Sequence, residues 1–547
     1  MLTGLMMDDY PLTLGYLLER AGTMFPANEL VTRNHDGSFF RYTYGDYYRR
    51  TRQLANALTR LGVKQGDRVG TLCWNHHRHF EAYLAIPSMG AVLHTLNLRL
   101  HPNDLSYISN HAEDSVIIVD RSLLPLLEQF RSTVRSLRHV IVVPDDGPTP
   151  DGYTDYEQFI AAESDAFVYP KLDEHAAAAM CYTSGTTGNP KGVLYSHRST
   201  MLHTMATCMT DTLGISERDV LLPVVPMFHV NAWGMPFAAA LTGAKVVFPG
   251  PNLQPETLVD LMAREKVTLA GGVPTIWLGI LALLDANPGK WDLSSVRTMI
   301  VGGSAAPPAM MDGFQKRHGL TVTHAWGMTE TSPIGSLARL KNAMRDLSPA
   351  DQLKVRSTQG YPVPFVEIRH TGDDGSVLAW DGQCMGELEV RGPWVAASYY
   401  NSNEQDDRFT ADGWFKTGDI VTINSDGYLT ITDRSKDVIK SGGEWISTVA
   451  LENALMAHPA VLEAAVFAAV HPRWDERPLA AIVFKPGQSA TKDELRASLE
   501  PHFAKFWLPD DYLIVDAIPK TSTGKFQKLK LREQYGDHLV KQGATSP

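Results

Sequence analysis

Short β-branched runs alternate along most of this chain with segments of helical texture, and that alternation is the tightest constraint on its fold. Val116-Ile-Ile-Val119, Val140-Ile-Val-Val143, Lys245-Val-Val-Phe248 and Thr298-Met-Ile-Val301 have the length and composition of buried strands. Between them lie helical segments such as 47–61 and 257–266. Continuous apolar strands separated by helices predict an α/β arrangement, its strands covered on both faces. After about residue 360 the texture changes to shorter strands with turn signals at Asp373-Asp-Gly375, Asp412-Gly413 and Ser425-Asp-Gly427, as in a smaller β-rich unit. Beyond Asp433 a compact piece holds its own helix over about 447–457, strands over 464–470 and 479–484, and a polar tail.

At about 150 residues per domain, 547 residues call for several structural units. The predicted division is an N-terminal part over 1–432, with α/β subdomains to about 360 and a β-rich subdomain over 361–432. A hinge over 433–436 (Asp433-Arg434-Ser435-Lys436) and a mobile α+β C-terminal domain over 437–547 follow.

The net charge of −11, without a lysine or arginine cluster, disfavours nucleic acid as a partner. The 4 cysteines, Cys73, Cys181, Cys208 and Cys384, form no C-x-x-C pair and suggest no histidine partner at metal spacing, so neither a disulfide framework nor a structural zinc site is expected. The longest apolar run, 464–470, is far short of the ~20 residues that span a bilayer. The first ten residues carry Asp8 and Asp9 in place of a basic region, so no secretory signal is read there. The expectation is a soluble, cytoplasmic chain with no integral membrane segment.

The segment Tyr182-Thr-Ser-Gly-Thr-Thr-Gly-Asn-Pro-Lys-Gly-Val193 follows the apolar run 176–181 and so leaves a buried strand. Its glycines admit an anion close to backbone N–H groups, the hydroxyls of Thr183, Ser184, Thr186 and Thr187 add donors, and Lys191 adds charge. It is not a Walker A loop, because Pro190 and Gly192 stand where that motif needs its second glycine and its magnesium-binding hydroxyl.

Together with Trp326-Gly-Met-Thr-Glu-Thr331, Thr417-Gly-Asp419, Asp433-Arg434 and Pro519-Lys-Thr-Ser-Thr-Gly-Lys525, this loop resembles the acyl-adenylate-forming superfamily. That superfamily holds acyl-CoA synthetases, luciferases and peptide-synthetase adenylation domains. The motifs stand in family order over nearly the whole chain. Pro226-Met-Phe-His-Val-Asn-Ala-Trp233, Gly302-Gly-Ser-Ala-Ala-Pro307 and Ile439-Lys-Ser-Gly-Gly-Glu-Trp-Ile-Ser447 are most similar to bacterial medium- and long-chain fatty acyl-CoA synthetases.

The resemblance implies a role for each motif. Thr183, Ser184, Gly185, Thr186, Thr187, Gly188 and Lys191 would cradle the ATP phosphates, with Thr183 and Glu330 as ligands of Mg²⁺, a hard cation that prefers oxygen donors. Gly303, Ser304, Ala305, His324, Ala325 and Trp326 would form the adenine slot, Gly327 and Thr329 would also bind the cofactor, and Asp419 would accept from the ribose hydroxyls. Arg434, Lys436, Lys440 and Trp445 would join the nucleotide site. Lys525 would bond the attacking carboxylate and the α-phosphate, while Ser441, Gly442, Gly443 and Glu444 would flank the pantetheine arm of coenzyme A. Amino-acid-adenylating relatives place an aspartate directly after the phenylalanine matching Phe228; here His229 stands there, favouring an acid without an amino group. Trp233 resembles the gate of an acyl tunnel, although the residues alone fit a core histidine and a packing tryptophan as well.

Two faces of one small domain, around Lys525 and around Lys440 to Glu444, imply two conformations. The expected reaction is ATP-dependent adenylation of a medium- to long-chain fatty acid, then transfer to coenzyme A, which releases AMP. Acyl-CoA ligation of a short-chain or aryl acid, a luciferase-like oxygenase and a carrier-loading adenylation enzyme are the rival readings. The expected partners are these small molecules, and a homodimer is compatible with the resemblance.

Overall fold

The computed structural model describes residues 4, 6–7, 9–183, 189–402, 406–441, 444–520 and 526–544. It is a mixed α/β fold built on four sheets. A nine-stranded sheet runs in the spatial order Tyr361–Pro362, Ile334–Leu337, Val322–Gly327, Thr298–Val301, Leu269–Gly272, Val220–Pro223, Lys245–Phe248, Glu29–Arg33 and Phe39–Thr43. Its strands from Val322–Gly327 to Glu29–Arg33 pair in parallel, and antiparallel partners close both edges.

A seven-stranded sheet follows the order Thr154–Asp155, His139–Val143, Asp114–Asp120, Arg68–Leu72, Val92–Thr95, Ala177–Tyr182 and Gly192–Ser196. It is parallel except for the final pair, Ala177–Tyr182 with Gly192–Ser196. Each β-branched run read from the sequence lies inside one of these strands. Every residue of Asp114–Asp120 is buried, as two covered faces require.

Helix Tyr44–Arg60 starts at a reciprocal cap: the Thr43 hydroxyl accepts from the N–H of Asp46, and the Asp46 carboxylate accepts from the N–H of Thr43. Its apolar stripe enters a core that also takes Leu30 and Phe248 from the first sheet, Val69 and Ile118 from the second, and Leu388 and Val390 from a third. Helices Pro255–Arg264, Pro274–Ala286 and Pro308–His318 cover the opposite face of the nine-stranded sheet.

The third sheet is an antiparallel meander of Glu367–Thr371, Gly386–Arg391, Phe415–Ile423 and Leu429–Arg434. Asp433 and Arg434 belong to its last strand, opposite Ile420 and Asp419, and the chain turns only after them. The fourth sheet, with Ile439–Ser441, Glu444–Ile446, Val461–His471, Asp475–Phe484 and Asp511–Ile514, has separate apolar layers on its two faces. Helix Thr448–Met456 contributes to one layer and helix Lys528–Tyr535 to the other. No helix among the described residues is long and apolar enough to cross a membrane.

Candidate active site

Parallel strands present ligand sites at their carboxyl ends. A cavity of about 720 Å³ opens there, beyond Thr298–Val301 and Val322–Gly327, and is closed on its far side by Asp433, Arg434, Lys436, Glu452, Phe526 and Lys528.

One wall is nearly bare backbone. Gly303 has φ +85°, a conformation that favours glycine, and a Cβ at Gly302 would stand 3.2 Å from both the Ala325 carbonyl oxygen and the Trp233 ring. Ser304, His324, Ala325, Trp326 and Gly327 complete this wall. Burial draws the His324 imidazole down to about 4, so it is neutral at physiological pH.

Asp419 is held from two sides. Its Oδ2 accepts from the Trp326 indole N–H at 2.9 Å, and its Oδ1 pairs with the Arg434 guanidinium at 2.6 Å. Glu330 sits in the turn Thr329–Thr331, whose position is fixed when the Glu330 carbonyl accepts from the N–H of Ala396 at 2.7 Å. Its Oε1 accepts from the Tyr399 hydroxyl at 2.6 Å, and the Arg408 guanidinium lies 3.5 Å from the same oxygen. Arg408 also donates to the Tyr399 hydroxyl at 2.8 Å. Burial, reinforced by Glu330, holds the Tyr399 phenol well above its ordinary range.

Thr183 and Lys191 meet across the mouth of the glycine-rich segment. Thr183 N–H donates to the Lys191 carbonyl at 2.9 Å, and Lys191 N–H donates to the Thr183 hydroxyl at 3.1 Å. The Lys191 ammonium pairs with Asp406 and lies 4.7 Å from the centre of the Tyr399 ring. Lys436 is exposed as a residue, but partial desolvation at the cavity edge holds its ammonium below the ordinary lysine range.

His229 and Trp233 line the same cavity. Between them the chain takes an unusual course: Val230, Asn231, Ala232, Trp233 and Gly234 have φ of 39°, 55°, 47°, 58° and 78°, a left-handed turn. Left-handed backbone costs about 1–2 kcal/mol per non-glycine residue, so packing must offset it. The Trp233 ring rests on two glycines, with Gly302 beneath it and a Cβ at Gly271 only 3.6 Å from its edge.

The structure thus brings Thr183, Lys191, His229, Trp233, Gly303, Ser304, His324, Ala325, Trp326, Gly327, Thr329, Glu330, Asp419, Arg434 and Lys436 to one cavity. Ser441 is not among its lining; that residue is buried, and its hydroxyl accepts from Arg477 at 3.2 Å. Ser184, Gly185, Thr186, Thr187, Gly188, Gly442, Gly443, Lys525 and the side chains of Lys440, Glu444 and Trp445 lie outside the described residues. Sequence reasoning missed Tyr399, Asp406 and Arg408. Their only signals were the aromatic pair Tyr399-Tyr400 and the charged cluster Asp406-Asp407-Arg408 in a stretch read only for its strands.

The reading of the cysteines needs one correction. Cys73 has a histidine three residues on, and the fold brings Cys73, His76 and Asp120 together, with candidate ligand atoms within 4.8 Å of one another. The histidine is committed on both nitrogens: Nδ1 accepts from the N–H of His79 at 3.1 Å and Nε2 lies 2.8 Å from Asp120 Oδ1. With Nδ1 an acceptor, Nε2 carries the proton, and a metal there would demand an imidazolate or a broken cap. The group fits a buried hydrogen-bond network better than a metal.

The sequence pattern of the AMP-binding enzymes matches residues 18–400, and that of the AMP-binding enzyme C-terminal domain matches residues 450–525. The chain is 48% identical over 534 residues to a long-chain-fatty-acid–CoA ligase of Thermus thermophilus, covering 97% of each. It is 44% identical over 538 residues to a medium-chain-fatty-acid–CoA ligase of Ectopseudomonas oleovorans, covering 98% of each. Its fold superposes on the anthranilate CoA ligase AuaEII in complex with anthranoyl-AMP with a TM-score of 0.86 at 26% identity, covering 98% of this chain and 99% of that one.

Proposed function

The chain belongs to the AMP-binding enzyme family, and from that premise we propose that it activates a medium- to long-chain fatty acid with ATP and passes the acyl group to coenzyme A. The observation that carries this reading is that one cavity is lined both by the phosphate-side residues Thr183, Lys191 and Glu330 with Asp419, and by His229 and Trp233. A nucleotide and an acid can therefore meet there.

In the first step a carboxylate oxygen bonds to the α-phosphorus as the bond to the bridging oxygen breaks and pyrophosphate leaves. In the second, the thiolate of coenzyme A attacks the acyl carbon and AMP departs. Asp419, fixed by Trp326 and Arg434, takes the ribose; the wall of Gly303, Ser304, His324 and Ala325 takes the adenine; Lys191 and the loop before it take the phosphates. Lys525 stabilises the charge that builds on the phosphate oxygens, a role of positioning and electrostatics. His229, which stands where amino-acid-adenylating relatives carry an aspartate, and the apolar ring of Trp233 suit an acid without an ammonium group.

Thr183 and Glu330 would hold Mg²⁺, which supplies positive charge at the phosphates. The donors fit: Glu330 Oε1 carries the contacts to Tyr399 and Arg408, and Oε2 makes no hydrogen bond among the described residues. Residues up to Arg434, where the meander's last strand ends, act as the larger domain, and 437–547 as a domain that turns about Ser435 and Lys436 between steps, a shorter hinge than the 433–436 expected from the sequence. Phe526 and Lys528 line the cavity and Ser441 does not, which favours the adenylating arrangement for this structure.

The test is pyrophosphate release and acyl-CoA formation over acids from acetate to palmitate, with aryl and amino acids included. The highest kcat/KM is expected between octanoate and palmitate. Faster turnover of acetate, an aryl acid or an amino acid would overturn the fatty-acid assignment, and light emission from the adenylate and O₂ without coenzyme A would favour the oxygenase.

A further inference from the structure

Asp433 ends the last strand of the meander, yet its side chain serves the far side of the turn that follows. Its Oδ2 accepts from the backbone N–H of Thr448 at 2.8 Å and from the Thr448 hydroxyl at 2.6 Å. It therefore caps helix Thr448–Met456 from outside that helix, where the N-terminal dipole favours an anion. The same Thr448 hydroxyl accepts from the Lys528 ammonium, which also pairs with Glu452 at 2.8 Å. Beside this cluster the Ser447 hydroxyl donates to the carbonyl of Thr432. Asp433, Thr448, Glu452 and Lys528 are all at least nine-tenths buried, so these are desolvated, charge-assisted contacts.

The geometry divides the cluster in two. Asp433 is fixed in the meander by pairing with Ile420, whereas Thr448, Glu452 and Lys528 travel with the C-terminal sheet. Exposed Ser435 and Lys436 lie between. A rotation about that turn leaves the bond between Lys528 and Glu452 intact but must pull Asp433 away from Thr448.

We propose that Asp433 is a positioning residue for adenylation: its carboxylate latches the N-terminus of helix Thr448–Met456, and through Thr448 the Lys528 ammonium, holding the C-terminal part with its Phe526–Lys528 side against the cavity. The proposal rests on the two-step reading above. Thiol transfer, which that reading assigns to the other face, does not need the latch and is entered by opening it.

The test compares Asp433→Ala, Asp433→Asn and Asp433→Glu with the parent chain. The half-reactions are read separately: pyrophosphate exchange with octanoate, and acyl-CoA formation from synthetic octanoyl-adenylate and coenzyme A. Loss of a charge-assisted hydrogen bond predicts a fall of about 10- to 100-fold in kcat for exchange in Asp433→Ala. The KM for ATP should stay within about threefold, the thiolysis rate should remain at or above that of the parent, and Asp433→Glu should recover part of the exchange.

Independently of any substrate, tryptic cleavage after Arg434 or Lys436 should speed about tenfold in Asp433→Ala and Asp433→Asn while far-UV circular dichroism stays unchanged. Equal loss of both half-reactions, or no loss of exchange together with unchanged cleavage, overturns the latch. If the parent chain catalyses neither half-reaction, the proposed activity fails and the cleavage rates alone decide: acceleration supports the latch and an unchanged rate overturns it.

Discussion

The Trp326 indole N–H donates to Asp419 Oδ2 at 2.9 Å, and the pair joins the nine-stranded sheet to the antiparallel meander across the cavity. Two backbone elements that share no strand are thereby held at a fixed separation, with the carboxylate between them. Replacing the indole by a ring without a donor leaves the Asp419 carboxylate, among the described residues, to Arg434. For Trp326→Phe we expect the KM for ATP to rise about tenfold, as befits a lost hydrogen bond to a charged acceptor, with a smaller change in kcat. The ATP dependence of pyrophosphate exchange measures it, and an unchanged KM would show that Asp419 keeps its place without the indole.

Glu330→Gln preserves an acceptor for the Tyr399 hydroxyl but removes the charge a divalent cation needs. Adenylation should fall about 10²-fold, on the scale of losing one electrostatic contact to the transition state, and the Mg²⁺ concentration for half-maximal rate should rise. Magnesium titrations of parent and variant decide it; the same midpoint in both would remove Glu330 from the cation site.

Trp233→Ala uncovers the space above Gly302 and Gly271. Fatty acid should then bind without nucleotide, whereas the parent chain should need a non-hydrolysable ATP analogue. Calorimetry with and without the analogue is the check, and equal binding in both proteins would make Trp233 a packing residue.

Gly234 ends the left-handed turn at φ +78°, and a Cβ there would meet the His203 ring at 2.7 Å. Gly234→Ala combines a left-handed penalty of about 1–2 kcal/mol with displacement of a buried imidazole. A stability loss of at least about 2 kcal/mol by chemical denaturation is expected, and a neutral substitution would show that the turn relaxes freely.

Burial pushes the Glu452 carboxyl up to about 7, against the opposing pull of Lys528, while Asp433 is raised beside it. A carboxyl whose folded pKa exceeds its unfolded 4.5 binds its proton more tightly when folded. The stability this provides is fully present below about pH 4.5 and is lost as pH rises through 7, on the order of 1–3 kcal/mol. Thermal unfolding between pH 5.5 and 8.5 should show a decline that Glu452→Gln flattens; parallel curves would place the titration elsewhere.

The sheets were legible because buried parallel strands are continuously apolar, and the runs here are also β-branched and too short for a buried helix. The strands Val461–His471 and Asp475–Phe484 extend past the apolar runs 464–470 and 479–484, since charged Glu463, Glu476 and Arg477 are paired within them. Arg477 is accommodated by Asp510 and by the carbonyls of Phe506 and Leu508, partners that only the fold supplies. The same holds for the left-handed turn, since Val230, Asn231, Ala232 and Trp233 carry no glycine to announce it. Tyr399 and Arg408 converge on Glu330 from elements remote in sequence. Motifs carry the backbone of a site; the side chains that hold a charged group still until its ligand arrives are chosen by packing.

The cavity draws its walls from residues as far apart as Tyr107 and Lys528. A chain still emerging from the ribosome cannot complete this enclosure until Lys528, at the start of helix Lys528–Tyr535, has been made. A product that stops short of Phe526 and Lys528 carries Thr183, Glu330 and Asp419 but leaves the far side of their cavity open to water, so the order of synthesis puts the closing wall last.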